Sequence, residues 1–174
     1  MPILKHIALS GLITVFLGFS SVVNAETTKE DRVKAAIIYK VTKFISWPNK
    51  KQSLSLCVVG SGSINKEISK INSKSSMGRR LSVTHKAAGA SLDKFCDLVF
   101  IHNSDNKDID LVINKLKNSP ILTISDSEQF AKQGGIIELY RSGSRIRFAI
   151  NKGAAKSSNL SISAQLIKLA KVIE

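Results

Sequence analysis

Two short runs of apolar residues constrain the fold of this chain more than any other feature of its sequence. The runs LVFI at residues 98–101 and PILTI at 120–124 show almost no polar alternation. Such continuous runs are typical of strands that are buried on both faces, as in parallel sheets. Between them, residues 109–116 place apolar side chains at the spacing of one helix face. Strand, helix and strand in this order predict an α/β fold.

Apolar runs typical of strands and apolar residues at helical spacing recur along the rest of the chain. The first predicted helix starts at residue 29, and Thr27 or Thr28 could cap it. The predicted strands are 54–59, 81–85, 98–101, 120–124, 136–140 and 145–150, and the predicted helices are 29–45, 64–71, 109–116, 127–133 and 161–173. We expect a mostly parallel sheet with helices on both faces and a C-terminal antiparallel hairpin, flavodoxin-like in outline. In a flavodoxin-like order the strands at 54–59 and 98–101 are neighbours.

Residues 1–25 have the composition of an export signal. Lys5 gives a short positive region, residues 7–23 are apolar and uncharged, and Ala25 ends a triplet of the kind that signal peptidase cleaves. The alternative is an uncleaved anchor, because the apolar run is about long enough to span a bilayer. Cleavage after Ala25 would leave residues 26–174, which fit one domain outside the cytoplasm, in the bacterial periplasm.

The chain is strongly basic, with 26 Lys and Arg residues against 13 Asp and Glu residues. Basic proteins attract nucleic acids and anionic lipids. Export argues against a nucleic-acid partner, and the positive charges are scattered, with no block of five or six. A solvated basic surface is therefore the favoured interpretation, with loose attraction to anionic membrane lipids as the alternative.

Two cysteines, Cys57 and Cys96, lie in the part of the chain that would be exported. An even count in an oxidising compartment favours one disulfide bond, and the alternative is two buried thiols. Neighbouring strands at 54–59 and 98–101 would make the Cys57–Cys96 bond geometrically feasible. The count and spacing exclude a C-x-x-C redox pair and a four-ligand zinc site.

Candidates for catalysis and cofactor binding are few. Gly60 and Gly62 follow a strand, but Asn65 stands where a dinucleotide fingerprint needs its third glycine. His85 and His102 are not joined by carboxylates or thiolates at metal-ligand spacing. We therefore expect no cofactor and no metal.

A ligand crevice is the remaining possibility at the strand ends, where α/β folds place binding residues. The candidate crevice residues are Gly60, Gly62, His102, Ser125 and Asp126. Turn and helix-cap roles are the alternative for Gly60, Gly62, Ser125 and Asp126, and a structural or solvent-exposed side chain is the alternative for His102. A hydrolase built on Ser125 and His102 is the third hypothesis, although the nucleophile-elbow motif is absent.

A set of short motifs, each weak alone, resembles one protein family across nearly all of the exported chain. They are VKAAIIYK at 33–40 with Phe44, Trp47 and Pro48, LCVVG at 56–60, GRRLSV at 78–83, CDLVFI at 96–101, PILTISD at 120–126, Phe130, Ala131, GGI at 134–136, RFAIN at 147–151, Ala154, Ala155, LSIS at 160–163 and Leu166. In this order they resemble the YfiR family of periplasmic proteins.

The resemblance implies a regulator and not an enzyme. It implies a homodimeric periplasmic protein that binds and inhibits the periplasmic sensor domain of a membrane-bound diguanylate cyclase, and so controls cyclic di-GMP signalling and biofilm formation. Cys57 and Cys96 match one disulfide pair of the family, whereas Tyr140 and the residues around Phe148 offer no thiol for the second pair. The alternative is a periplasmic sensor that binds a small molecule and partners another membrane signalling protein, such as a histidine kinase.

Aromatic residues on and just after the first helix are the candidate surface for a partner or for dimer formation. They are Tyr39, Phe44 and Trp47. Exposed apolar patches on soluble proteins commonly mark interaction sites. The alternative is ordinary core packing.

Overall fold

The computed structural model describes residues 28–102 and 106–173. The predicted export signal at 1–25 lies outside the described residues. The helices are α1 Lys29–Val41, α2 Ile64–Ser69, α3 Leu92–Phe95, α4 Asn106–Leu116, α5 Lys152–Ser157 and α6 Ala164–Leu169. The strands are β1 Ile45–Ser46, β2 Ser53–Val59, β3 Ser75–Ser76, β4 Arg79–His85, β5 Leu98–Ile101, β6 Leu122–Ser125, β7 Ile137–Ser142, β8 Arg145–Asn151, β9 Ser161–Ile162 and β10 Lys171–Ile173.

The large sheet has the predicted flavodoxin-like core. Within the described residues it has eight strands in the order β10-β8-β7-β6-β5-β2-β4-β3. The strands β4, β2, β5, β6 and β7 pair in parallel. Numbered along the chain, these five stand in the order 2-1-3-4-5, which is the flavodoxin order. The hairpin of β7 and β8 is antiparallel, as predicted.

Helices cover both faces of this sheet, because side chains of a strand alternate between its faces. Leu56 and Val58 of β2 belong to a core that also contains residues of α1, α2, α5 and α6. Val59 of the same strand belongs to a second core with residues of α3 and α4. The prediction of an α/β fold with helices on both faces is confirmed.

Helix α1 begins as predicted and ends earlier. Thr28 and Asp31 form a capping box in which each side chain accepts a hydrogen bond from the other's backbone N–H. The prediction that the helix continues to residue 45 is wrong, because a 3₁₀ turn follows Val41. Ile45 then pairs with Ile162 in the two-stranded sheet of β1 and β9, which requires extended backbone there.

Two predictions near the C-terminus are also wrong, one or two helical turns at 127–133 and a continuous helix at 161–173. Residues 127–133 form turns and not a helix. Residues 161–173 form β9, the short helix α6 and β10, and β10 pairs in parallel with β8. The helix α5 and the hairpin of β3 and β4 were not predicted.

The predicted disulfide bond is present between Cys57 on β2 and Cys96, two residues before β5. The two Cα atoms are 5.8 Å apart and both residues are buried. The bond joins β2 to the end of α3. No helix among the described residues has both the length and the apolar character to cross a bilayer.

Candidate functional site

The predicted crevice residues lie together at the carboxyl ends of three neighbouring parallel strands. Gly60 and Gly62 follow β2, His102 follows β5, and Asp126 follows β6. The strands β2 and β5 are the pair at which the strand order of a flavodoxin-like sheet reverses, where such folds place ligands. The structure therefore places Gly60, Gly62 and His102 at the topological switch point, and Asp126 at the end of the next strand in the sheet.

His102 packs against the backbone of Gly62. A Cβ atom built on Gly62 would overlap the His102 Nε2 atom, so no side chain fits at that position unless the imidazole moves. The His102 side chain is 21% exposed and its Nδ1 atom lies 3.2 Å from Oδ1 of Asp126. The glycine therefore allows the imidazole to lie between the β2 loop and the end of β6.

Asp126 is the acceptor at the centre of this cluster, with a side chain that is only 3% exposed. Its Oδ2 atom accepts a hydrogen bond of 2.9 Å from Nζ of Lys34 on α1. Burial works to raise the pKa of this carboxyl group, but the hydrogen bonds from His102 and Lys34 and the charge of Lys34 lower the pKa to about 2. Asp126 is thus held ionised.

Lys34 connects Asp126 to a second carboxylate. Its Nζ atom lies 2.9 Å from Glu30 Oε1, one helical turn earlier, and Arg141 Nη1 on β7 lies 3.5 Å from Glu30 Oε2. Burial works to lower the pKa of Lys34, yet the two carboxylates outweigh it and raise the pKa. We call Glu30, Lys34, His102 and Asp126 the strand-end cluster.

A second polar contact holds the start of α1 against the start of α2. The Ser63 hydroxyl donates a hydrogen bond of 2.7 Å to Asp31 Oδ2. Burial works to raise the pKa of Asp31, and the hydrogen bonds from Ser63 and Thr28 lower it below its usual value. Ser63 therefore joins two helices and makes no side-chain cap on α2.

The cluster does not contain the nucleophile that the hydrolase hypothesis requires. Ser125 is fully buried, its hydroxyl donates to the Ile101 carbonyl at 2.8 Å, and it accepts from the Ser127 N–H at 3.0 Å. The His102 Nδ1 atom faces Asp126 and its Nε2 atom faces Gly62. In the part of the chain that the structure describes, no group of three His, Cys, Asp or Glu residues is arranged to hold a metal ion.

The candidate partner surface is half-buried. Tyr39, Phe44 and Trp47 all pack against the larger core. The Tyr39 hydroxyl donates to the Ser75 carbonyl at 2.6 Å, and Trp47 Nε1 donates to the Asp97 carbonyl at 3.0 Å. Each of these residues therefore has a packed side and an outer side.

Comparison with protein families gives a match along most of the chain. The family model described as YfiR/HmsC-like (DUF4154) matches residues 31–171. The chain belongs to the YfiR/HmsC-like family. This family is periplasmic and regulatory rather than catalytic.

Solved structures with the same fold are more distant from this YfiR/HmsC-like chain. A conserved domain protein from Vibrio cholerae O1 biovar El Tor is 13% identical, with a TM-score of 0.62, over 85% of this chain and 61% of that one. The ABC domain from Streptococcus pneumoniae in complex with L-Trp is also 13% identical, with a TM-score of 0.58, over 82% of this chain and 60% of that one. The chain spans about three fifths of the length of each. At this identity the likeness shows the fold alone.

The strand-end cluster of this YfiR/HmsC-like chain includes residues that sequence reasoning missed. Glu30 and Lys34 are spaced four residues apart on a predicted helix, a spacing that allows an ion pair and could have identified them. Arg141, which lies outside the cluster and pairs with its Glu30, gave no signal in the sequence, because only the folded sheet brings β7 near the start of α1.

Proposed function

We propose that this protein is a periplasmic regulator that binds and inhibits the periplasmic sensor domain of a membrane-bound diguanylate cyclase. The observation that carries the proposal is the YfiR/HmsC-like family match over residues 31–171. The proposal includes export through a cleaved signal at residues 1–25, a single domain at 26–174 and a homodimeric state. Loss of the regulator would then raise cyclic di-GMP in the cell and favour biofilm formation.

The chemistry of the strand-end cluster supports a role in binding rather than catalysis. Its charged groups bind one another, and they join α1 to the ends of β5 and β6. Catalysis needs a group placed to attack a substrate or to transfer a proton to it. A regulator needs instead a rigid body that presents a surface. The buried ion pairs favour such rigidity, because they fix α1 to the ends of β5 and β6.

The outer side of Tyr39, Phe44 and Trp47 is the proposed contact surface for the cyclase or for a second copy. Aromatic side chains are enriched in protein interfaces because they bury a large area with few rotatable bonds. Here the packed side of each ring fixes its position, so that little conformational entropy would be lost on binding.

The experiment is capture of the partner from membranes with the exported protein as bait. We expect a diguanylate cyclase among the captured proteins, and we expect cyclic di-GMP to rise when the gene for this protein is deleted. The capture should be repeated with and without reductant, to show whether the disulfide bond controls it. Unchanged cyclic di-GMP in the deletion strain, with no cyclase captured, would overturn the proposal.

A second candidate function is a small-molecule sensor that uses the crevice at Gly60, Gly62, His102, Ser125 and Asp126. It is supported by the position of these residues at and beside the switch point, and by the ABC domain of similar fold that is in complex with L-Trp. Calorimetric titration with L-Trp and other amino acids tests it. Binding that is lost in His102→Ala would favour the sensor, and the absence of heat for all of them would count against an amino-acid ligand.

A further inference from the structure

Met77 stands at an unusual place, the tip of a two-residue hairpin turn between β3 and β4. Ser76 pairs with Arg79, and both turn residues have positive φ, 52° at Met77 and 78° at Gly78. Such turns favour Asn or Gly at the position of Met77, because Gly adopts positive φ freely and Asn tolerates it better than most residues with a Cβ atom. The Met77 residue is 71% exposed. Neither the backbone nor the core therefore accounts for a methionine at this position.

The hairpin is held firmly against the first helical segment. The Tyr39 hydroxyl donates to the Ser75 carbonyl at 2.6 Å. The hydroxyl groups of Thr42 and Ser76 lie 2.6 Å apart in a buried hydrogen bond. Met77 is therefore presented at a fixed position.

Positive charge surrounds this tip. Met77 and Trp47 line an open groove of about 400 Å³ together with four cationic residues, Lys43, Lys50, Lys51 and Arg79. None of the described residues that line the groove is acidic. Lys51 pairs with the Asp97 carboxylate at 2.7 Å, whereas Lys43, Lys50 and Arg79 form no ion pair with any residue that the structure describes.

We propose that the surface formed by Lys43, Trp47, Lys50, Met77 and Arg79 docks onto an anionic phospholipid bilayer. Met77 enters the boundary between headgroups and acyl chains, and the cations lie at the lipid phosphates. Trp47 lies at headgroup depth, where its amphipathic ring is favoured, and the Arg79 guanidinium stacks 4.9 Å from the ring centroid. We call this the hairpin-tip surface.

The arrangement fits a lipid surface better than an acidic protein. The cations come from the turn after α1, the loop before β2 and the start of β4, so their charges are spread over an area and do not converge on one carboxylate. A single projecting methionine needs a soft apolar layer, whereas a protein partner would need a pocket shaped for it. The inference goes beyond the proposed function, because it concerns attachment to the bilayer and needs no cyclase.

The apolar part of the proposal is tested by Met77→Asn. Asn-Gly is the favoured pair in this turn, so the variant should be at least as stable as the parent protein. Binding of the exported protein to vesicles of phosphatidylcholine and phosphatidylglycerol should weaken about tenfold. The control is Leu169→Asn, which removes a residue that is 70% exposed elsewhere on the surface and should leave vesicle affinity unchanged. Equal affinities for Met77→Asn and the parent would overturn insertion.

The charged part is tested by a matched pair of double variants. Lys43→Gln with Lys50→Gln removes two cations from the surface, and each should weaken vesicle binding about fivefold. Lys132→Gln with Lys156→Gln removes the same charge elsewhere and should have a smaller effect. An equal loss in both pairs would show that the net charge alone attracts the protein. Binding to a poly-glutamate matrix but not to the vesicles would replace the lipid with an acidic protein.

The vesicle experiment separates this inference from the proposed function. The vesicles contain no protein, so failure to bind them leaves regulation of a cyclase untouched. Conversely, docking onto vesicles would stand even if no cyclase were captured from membranes.

Discussion

Lys34 Nζ donates a hydrogen bond of 2.9 Å to Asp126 Oδ2 across 92 residues of sequence, and so joins the first helix to the end of β6. Removing the charge of Asp126 should therefore leave a largely buried ammonium group whose one remaining anionic partner among the described residues is Glu30. We expect Asp126→Asn to lower the free energy of unfolding by about 2–3 kcal/mol. Urea unfolding of the parent protein and of the variant measures this loss. Glu128→Gln, at an exposed carboxylate, is the control and should change stability by less than about 0.5 kcal/mol.

The same carboxylate makes stability depend on pH in the acid range. Its pKa is about 2 in the folded protein against 3.8 in the unfolded chain, so the folded state stays ionised where the unfolded state takes up a proton. This contribution is fully present above the unfolded pKa and is lost as the pH falls towards the folded one. It amounts to about 2 kcal/mol.

Urea midpoints measured from about pH 6 down to about pH 2.5 test this pH dependence. The difference between the parent protein and Asp126→Asn should shrink as the pH falls, because protonation removes the same charge as the substitution. A difference that stays constant across this range would show that Asp126 acts through packing. At the alkaline end, the raised pKa of Lys34 predicts a stabilising contribution that is fully present below the unfolded value of 10.5 and is lost as the pH rises through the higher folded value.

The Cys57–Cys96 bond closes a long loop, since the two residues are 39 apart in the sequence. In the chain-entropy account such a bond stabilises by roughly 4 kcal/mol, because it restricts the unfolded chain. We expect the double variant Cys57→Ala, Cys96→Ala to unfold at a correspondingly lower urea concentration. Reduced parent protein is the matched control and should have a stability similar to that of the double variant. The disulfide bond itself is checked by mass spectrometry, since the intact mass of the exported protein should be two hydrogens below that of the reduced protein.

Parts of the fold could be predicted because their local pattern is independent of their neighbours. Strand β5 occupies the predicted residues, since a continuous apolar run stays buried whichever strands lie beside it. The segment 161–173 could not be predicted, although its apolar residues have helical spacing. Ile162 pairs with Ile45 and Val172 pairs with Ile150, so contacts with distant strands outweigh the local periodicity.

The candidate site, like the fold, could be predicted only in part. The meeting of Gly62, His102 and Asp126 follows from parallel strands, whose carboxyl ends share one edge of the sheet. The part played by Lys34 depends on how α1 packs across that edge, which no local pattern records. Met77 was missed because a turn that favours Asn or Gly at its first position gives no signal when methionine occupies it.

Gly62 should tolerate no side chain without moving His102. In Gly62→Ala the new Cβ would meet the imidazole, which is the outer part of a side chain and can rotate away from Asp126. We expect a loss of about 1–2 kcal/mol in the free energy of unfolding and a shift of the His102 resonances in NMR spectra. Gly89→Ala is the control, since a Cβ there meets nothing within 4 Å. Unshifted His102 resonances would show that the Gly62 contact does not position the ring.

Substitution of Trp47 distinguishes a surface role of the aromatic residues from a role in the core. The residue is half-buried and its indole N–H donates to the Asp97 carbonyl, so Trp47→Ala should cost about 1–2 kcal/mol and leave the domain folded. The same variant should lose the cyclase in a capture from detergent-solubilised membranes, where no bilayer is left for the hairpin-tip surface to bind. Leu111→Ala, at an exposed apolar residue of α4, should retain the partner. If circular dichroism shows that Trp47→Ala is unfolded, core packing explains the residue, and the contact surface must be sought elsewhere on the protein.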